Sequence, residues 1–303
     1  LMLWIPLTVF AAFFQNLRSA IQRHLKSELT DLGAASVRFI YAAPFALIWL
    51  AGIAWLGELA LPDLNTEFII WALGGSISQI VFTILLMWLF SLSNFTVGTA
   101  LSKTEVVQVV LLEAVLLHTE ITFRSLLAIV VAFLGVFVMT LGKSRSSMTS
   151  VFSGLGQKTT VIGLTCGLML GLSSVLFRGA ALSLEDGGLL MRSAFTLAVA
   201  TSVQTLFLLA WLAIAQPGQL KKTTAQWKIC GLVGFSGWAA SLCWFMAFTL
   251  TQAAYVRALG QIELFFTLIA SIFIFREKVS TTEITGAVLL IGAIIFLVLE
   301  KTA

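Results

Sequence analysis

Apolar residues run along this chain in stretches long enough to cross a bilayer, separated by short polar segments. A helix needs about 20 apolar residues to span the hydrocarbon core. Five such runs lie near 3–22, 34–56, 67–91, 95–117 and 122–142, and five more near 159–182, 188–215, 225–249, 253–275 and 281–300. Only a few residues part the third run from the fourth and the eighth from the ninth, which predicts tight antiparallel hairpins. The first run lacks a basic start and carries Gln15, Asn16 and Arg18 where a signal-peptide cleavage site would fall. It is therefore expected to be a retained helix.

The two sets of runs repeat one another. Ala100-Leu101-Ser102-Lys103-Thr104-Glu105 returns as Ala258-Leu259-Gly260-Gln261-Ile262-Glu263, each copy inside an apolar run. A carboxylate at mid-helix costs about 2.5–3.5 kcal/mol on insertion scales, so two at matching positions are not expected by accident. Gly33 leads by five residues to Arg38 as Gly187 leads to Arg192, and Glu120 precedes Gly135 by fifteen as Glu277 precedes Gly292. Five spans per repeat is an odd number, so the second copy would enter the membrane upside down, as in many carriers with a midplane site. The expected fold is an all-α integral membrane protein of ten transmembrane helices, built as two inverted five-helix repeats. The first repeat would cover 1–142 and the second 159–303, with a polar linker over 143–158.

Glu105-Val106-Val107 and Glu120-Ile121-Thr122, ahead of a glycine-containing last helix, resemble the EamA repeat of the drug/metabolite transporter superfamily. Glu263-Leu264, Glu277-Lys278-Val279-Ser280 and Gly292 repeat that pattern, and Arg38-Phe39 fits it as well. The resemblance covers nearly the whole chain. It implies a ten-helix carrier in which the first four helices of each repeat surround a central cavity and the fifth packs outside. Val106 and Leu264 stand where the family often has proline, so those two helices are expected to be less kinked than usual.

Composition agrees with a membrane class. The chain is 59% hydrophobic and 11% charged, with mean hydropathy +1.02, against about 25% charged residues in soluble domains. A net charge of +4, dispersed along the chain, gives nucleic acid no footprint. Cys166, Cys230 and Cys243 fall within apolar runs, and His24 and His118 stand alone, so neither a disulfide framework nor a metal site is expected. No phosphate-binding glycine loop or Ser/His/Asp set is evident, which argues against an enzyme or an ATP-driven pump, and no cofactor is expected. Loops after odd-numbered runs, with their helix ends, hold twelve of the lysines and arginines and the other side holds four. The positive-inside rule then puts both termini outside, whereas the family more often has cytoplasmic termini.

Candidate functional residues are the polar groups inside the runs. Glu105 shares a helical face with Ser102 and Gln108. Glu105 and Glu263 would either satisfy one another's packing across the repeat interface or bind a proton that alternates with substrate. Lys103 and Arg257 differ between the repeats, which makes them specificity candidates; with Gln261 they could meet a substrate carboxylate. Arg257 could equally snorkel or pair with a neighbouring glutamate. Gln79 and Thr83 share a face in the third run. Trp238, Trp244 and Tyr41 could wall an aromatic or quaternary-ammonium site, or simply pack. Trp4, Trp55, Trp71 and Trp227 read as an interfacial belt, with Trp88 deeper. Arg38 and Arg192 could latch two gates by pairing with Glu28 or Asp31 and with Glu185 or Asp186, or could anchor at the interface. Gly163, Gly167 and Gly171 permit tight packing against a helix of the same chain or of another.

These readings converge on a multi-pass inner-membrane carrier of small organic metabolites. Amino acids or related zwitterions are the preferred substrate, exported by alternating access with protons as coupling ion. The partners expected are that small molecule and the lipid bilayer, with the protein a monomer or homodimer. One rival is a carrier of quaternary amines or hydrophobic cations using Trp238 and Trp244. Another, from a different class, is a non-transporting sensor or assembly protein.

Overall fold

The computed structural model describes residues 2–25, 28–90, 101–144, 158–273, 276 and 279–302, and among them the regular elements are all helices. Seven stretches are long and apolar enough to cross a membrane: Asp31–Leu56, Thr66–Leu89, Phe123–Gly142, Lys158–Ser183, Leu189–Ala215, Trp227–Leu250 and Thr281–Lys301. Three of the ten expected spans depart from this. The first is a 22-residue helix, α1 (Trp4–Leu25), whose apolar run Gln15, Asn16 and Arg18 interrupt. The fourth and ninth are broken. Residues 91–100, which include the start of the fourth over 95–100, lie outside the described residues, as do most of the linker and Glu277 and Lys278 of the repeat motif.

The helices sort into two compact units, Leu1–Ile80 with Leu176–Thr251, and Val81–Val175 with Gln252–Ala303. Each unit draws on both halves of the sequence, so the spatial division cuts across the repeats. In unit one, α1 packs along α10 (Trp227–Leu250). The second run folds as α2 (Asp31–Ile40) and α3 (Ala42–Leu56), which meet at Tyr41 and pack with α8 (Leu189–Ala215) and α10. Leu25, Leu29, Ala34, Val37, Cys230 and Val233 form one core there, and Phe68, Ala72, Ala180, Leu184 and Phe195 another. The second cluster joins α4 (Thr66–Phe90) to α7 (Lys158–Ser183). A short helix, α9 (Pro217–Ala225), falls between α8 and α10, started by a proline whose missing N–H costs nothing at that position.

Unit two is built on the pair α6 (Phe123–Ser144) and α13 (Thr281–Thr302). A Cβ on Gly135 would stand 2.7 Å from Leu290 N, one on Gly286 2.5 Å from Met139 N, and one on Gly142 2.8 Å from Glu283 N. Partner numbers fall as these rise, so the helices run antiparallel with backbones in contact. Small residues allow that approach, and dispersion rather than the hydrophobic effect drives helix association in lipid. Gly292, expected to match Gly135, has open space around it; Gly286 takes the role instead. Thr122 caps α6, accepting from Ser125 N, and both hydroxyls donate to the Glu300 carboxylate of α13.

Serines and threonines inside the spans are largely spent locally. Ser76, Thr140, Thr201 and Thr249 each donate to the carbonyl four residues back, which satisfies a hydroxyl where no water is at hand. Of the tryptophans expected in an interfacial belt, Trp55 and Trp227 are exposed and Trp4 is buried. Trp88 is exposed, with the Lys158 ammonium 4.7 Å from its ring centre at the first residue of α7.

Candidate functional site

The duplicated hexapeptide marks the same structural event twice. In the first copy a turn at Lys103–Thr104 precedes α5 (Glu105–Leu116); in the second, Gln261 separates α11 (Ala253–Gly260) from α12 (Ile262–Phe273). The hydrogen bonds there tighten to three-residue spacing: Thr104 N to Leu101 O at 3.1 Å and Val107 N to Thr104 O at 3.0 Å, then Gln261 N to Ala258 O at 3.2 Å and Leu264 N to Gln261 O at 3.0 Å. The absence of proline therefore leaves neither helix uninterrupted. Such 3₁₀ turns inside a span free backbone groups and often mark functional hinges.

Five polar residues in or beside the repeated hexapeptide, Lys103, Glu105, Arg257, Gln261 and Glu263, come together in unit two. Glu105 is fully buried, and its Oε1 accepts from Arg257 Nη2 and, at 3.2 Å, from Gln261 Nε2. Lys103 Nζ lies 2.8 Å from Glu263 Oε1. Each glutamate thus takes a cation from the other repeat, and neither pairs with its counterpart. Lys103 and Arg257 are engaged by carboxylates of the chain itself rather than held as bare cations for a substrate carboxylate. Glu105 Oε2, Gln108 Oε1 and Gln261 Oε1 are buried with no hydrogen-bond partner among the described residues. Gln108 Nε2 reaches Leu164 O at 3.4 Å.

Glycines of α7 make room for this cluster. A Cβ on Gly167 would stand 2.6 Å from Ser102 O and 3.2 Å from both Glu105 N and Gln108 Oε1, and one on Gly171 2.9 Å from Val109. The tight packing expected of this glycine series is met by a helix of the same chain.

Glu113, not singled out from the sequence, completes the arrangement. Wholly buried, it accepts from Ala253 N at 2.8 Å and Ala254 N at 3.0 Å, capping α11. A carboxylate at a helix N-terminus satisfies orphan N–H groups and complements the dipole. Its signal was legible: Glu113 lies eight residues after Glu105, about two turns on, in the same apolar run.

The other candidates lie elsewhere. Gln79 accepts from Gln204 Nε2 at 2.7 Å in unit one, and Thr83 is buried in unit two. Tyr41 donates to Thr223 O at 2.9 Å, tying the α2–α3 junction to α9. Trp244 donates to Gln15 Oε1 at 3.2 Å and stacks on Phe248. Trp238 instead sits among Phe45, Trp49 and Phe235, with ring centres 5.5–6.2 Å away and its Nε1 buried without a partner among the described residues. The two tryptophans therefore do not form one wall. The expected gate latches are not made: Arg192 donates to the backbone carbonyls of Gly187 and Glu185, and Arg38 makes no ion pair with Glu28 or Asp31. Arg18, counted with the loops, lies inside α1.

Bilayer-length apolar helices together with a buried ion pair define a multi-pass membrane protein. The sequence profile of the EamA-like transporter family matches residues 2–141 and 158–299, and the chain belongs to that family; it is a membrane transporter of small molecules. No curated protein matches the chain in sequence. A solved crystal structure shares its fold at TM-score 0.70 and 12% identity, covering 98% of this chain and 96% of its own.

Proposed function

We propose that the protein is a secondary transporter of small organic metabolites working by alternating access, with amino acids or related zwitterions as cargo moved out of the cell. The observation that carries this reading is the state of Glu105. One of its oxygens is matched by Arg257 and Gln261 while the other, with Gln108 Oε1 and Gln261 Oε1, lacks a donor. Buried acceptors left without donors are costly, and an amino group, with several N–H bonds and a positive charge, supplies what they lack. A proton on Glu105 would answer the same need, which makes protons the favoured coupling ion.

Ten spans in two inverted repeats, 1–142 and 159–303, remain our architecture. The antiparallel α6–α13 pair and the matching breaks at Lys103–Thr104 and Gln261 support it. The distribution of lysine and arginine favours both termini outside a bacterial-type inner membrane. A second reading, a hydrophobic-cation carrier, is favoured by the three rings around Trp238.

Counterflow in proteoliposomes tests the proposal. Vesicles loaded with an amino-acid mixture should transiently accumulate a labelled aromatic amino acid, and choline-like amines should not block it. Block by the amines would move the assignment to the Trp238 cluster. No counterflow from folded protein with any amino acid or amine would overturn the cargo assignment.

A further inference from the structure

One connection between spans is itself a helix, and it holds a second helix at both ends. α9 fills the connection 216–226 between the spans Leu189–Ala215 and Trp227–Leu250, which places it at the membrane surface. Thr30, the N-cap of α2, donates from its backbone N to Gln219 Oε1 at 3.0 Å and from Oγ1 to Gln216 Oε1 at 2.7 Å. At the other end of α2 its C-cap, Tyr41, donates to Thr223 O at 2.9 Å. Lys222 Nζ adds a bond to Glu28 O at 3.2 Å. Gln219 and Thr223, four residues apart and so on one helical face, are buried in this contact. Gly33 admits it: a Cβ there would stand 2.7 Å from Gln219 Oε1.

The rest of the connection is basic. Lys221 and Lys222 are exposed on α9, and exposed Lys228 follows in the first turn of α10, 5.9 Å from the ring centre of Trp227. No acidic residue occurs over 216–228, and among the described residues none of the three lysines is in an ion pair. Glu28 and Asp31 are the acidic residues of the segment that α9 holds, either side of Thr30. Trp211 and Trp227 lie exposed near the ends of the adjoining spans, at the depth that aromatic belts occupy. The matching connection in the first half, 57–65, forms no helix and carries Glu58 and Asp63 with no lysine or arginine. The basic helix is therefore not a general property of these connections.

Basic side chains held at a bilayer surface are drawn to anionic lipid, and salt screens the attraction. A lysine ammonium, a point charge on a flexible stem, suits phosphate groups whose positions vary. We propose that the basic face of α9, with Lys228, docks on the headgroups of anionic phospholipids, and that the contact is passed to α2 through Gln216, Gln219 and Thr223. The proposal rests on the place of α9 between two spans and not on the cargo assigned above.

The test is hydrogen exchange over 28–41 and 216–228, with the purified full chain in phosphatidylcholine discs and in discs containing phosphatidylglycerol. Phosphatidylglycerol should slow exchange over both segments by about fivefold or more, the weight of one lysine near an anionic surface. The difference should shrink at high salt. The triple variant Lys221→Gln, Lys222→Gln, Lys228→Gln should lose it. Lys221→Gln alone, at an exposed position, should reduce it and serves if the triple variant does not fold. Lys158→Gln, at the start of another span, should leave it unchanged. Gln219→Leu should keep the lipid effect over 216–228 and weaken it over 28–41. Equal exchange in both kinds of disc, or a lipid effect that survives in the triple variant, overturns the docking. An undiminished effect over 28–41 in Gln219→Leu overturns its passage to α2. The same protection from inorganic phosphate in phosphatidylcholine discs would assign the lysines to a soluble anion and overturn the lipid assignment.

Discussion

Glu105 and Arg257 stand 152 residues apart in the chain and meet as an ion pair whose carboxylate side chain is wholly enclosed and whose guanidinium side chain is 9% exposed. Each residue comes from a different copy of the sequence repeat, and each sits beside a break in its helix. A charge so placed cannot be abandoned cheaply, because its side chain is closed off from solvent.

Removing one member of this pair should therefore be severe. Glu105→Gln or Arg257→Gln alone leaves its partner as a buried charge, at a cost of about 3–5 kcal/mol. The double variant should be far less destabilised than the sum of the two, and thermal unfolding of all three in detergent measures that coupling. Additive losses would mean the two residues do not act as a pair.

Glu263→Gln should cost less than Glu105→Gln. The Lys103 and Glu263 side chains are 20% and 17% exposed, so solvent screens each when the other is neutralised. Midpoint shifts of the two variants measured side by side decide this, and an equal or larger loss for Glu263→Gln would contradict it.

Glu113→Ala should destabilise by about 2–4 kcal/mol, since two buried N–H groups at the start of α11 lose a charged acceptor. Glu113→Gln keeps one acceptor oxygen and should recover part of the loss. Hydrogen exchange at Ala253 and Ala254 locates the effect: protection there should fall in the alanine variant, ahead of global unfolding.

Gly135→Val and Gly286→Val each drive a side chain into the backbone of the facing helix, at 2.7 Å and 2.5 Å from the first carbon alone. Overpacking of about 1–3 kcal/mol is expected from each. Gly292→Val meets open space and should be tolerated. Comparable losses at all three positions would refute the antiparallel contact described for α6 and α13.

Much of the helical architecture was legible because the bilayer imposes it. A span without water must satisfy its backbone internally, so length and apolarity mark helices in the sequence. The repeated Glu105 and Glu263 were legible for the same reason, since a carboxylate is conspicuous where it is expensive. The partners were less legible. Lys103 and Arg257 looked like cations for a substrate, and helical spacing relates a residue only to its own helix, not to what crosses it. Gly292 was matched to Gly135 by count, while contact across α6 and α13 selected Gly286. Arg38 was taken for a helix-end latch because the cap at Thr30, which moves it two turns inward, is a local hydrogen bond that hydropathy does not register.

From the sequence alone come the helical class, the duplication and the position of its costly charges, all consequences of hydrocarbon rejecting unsatisfied polar groups. The tertiary structure decided which charges neutralise one another. It gave Glu105 to Arg257, Glu263 to Lys103 and Glu113 to the start of α11. Pairing depends on distances between segments more than a hundred residues apart, and those are set by how close the glycines let the helices come.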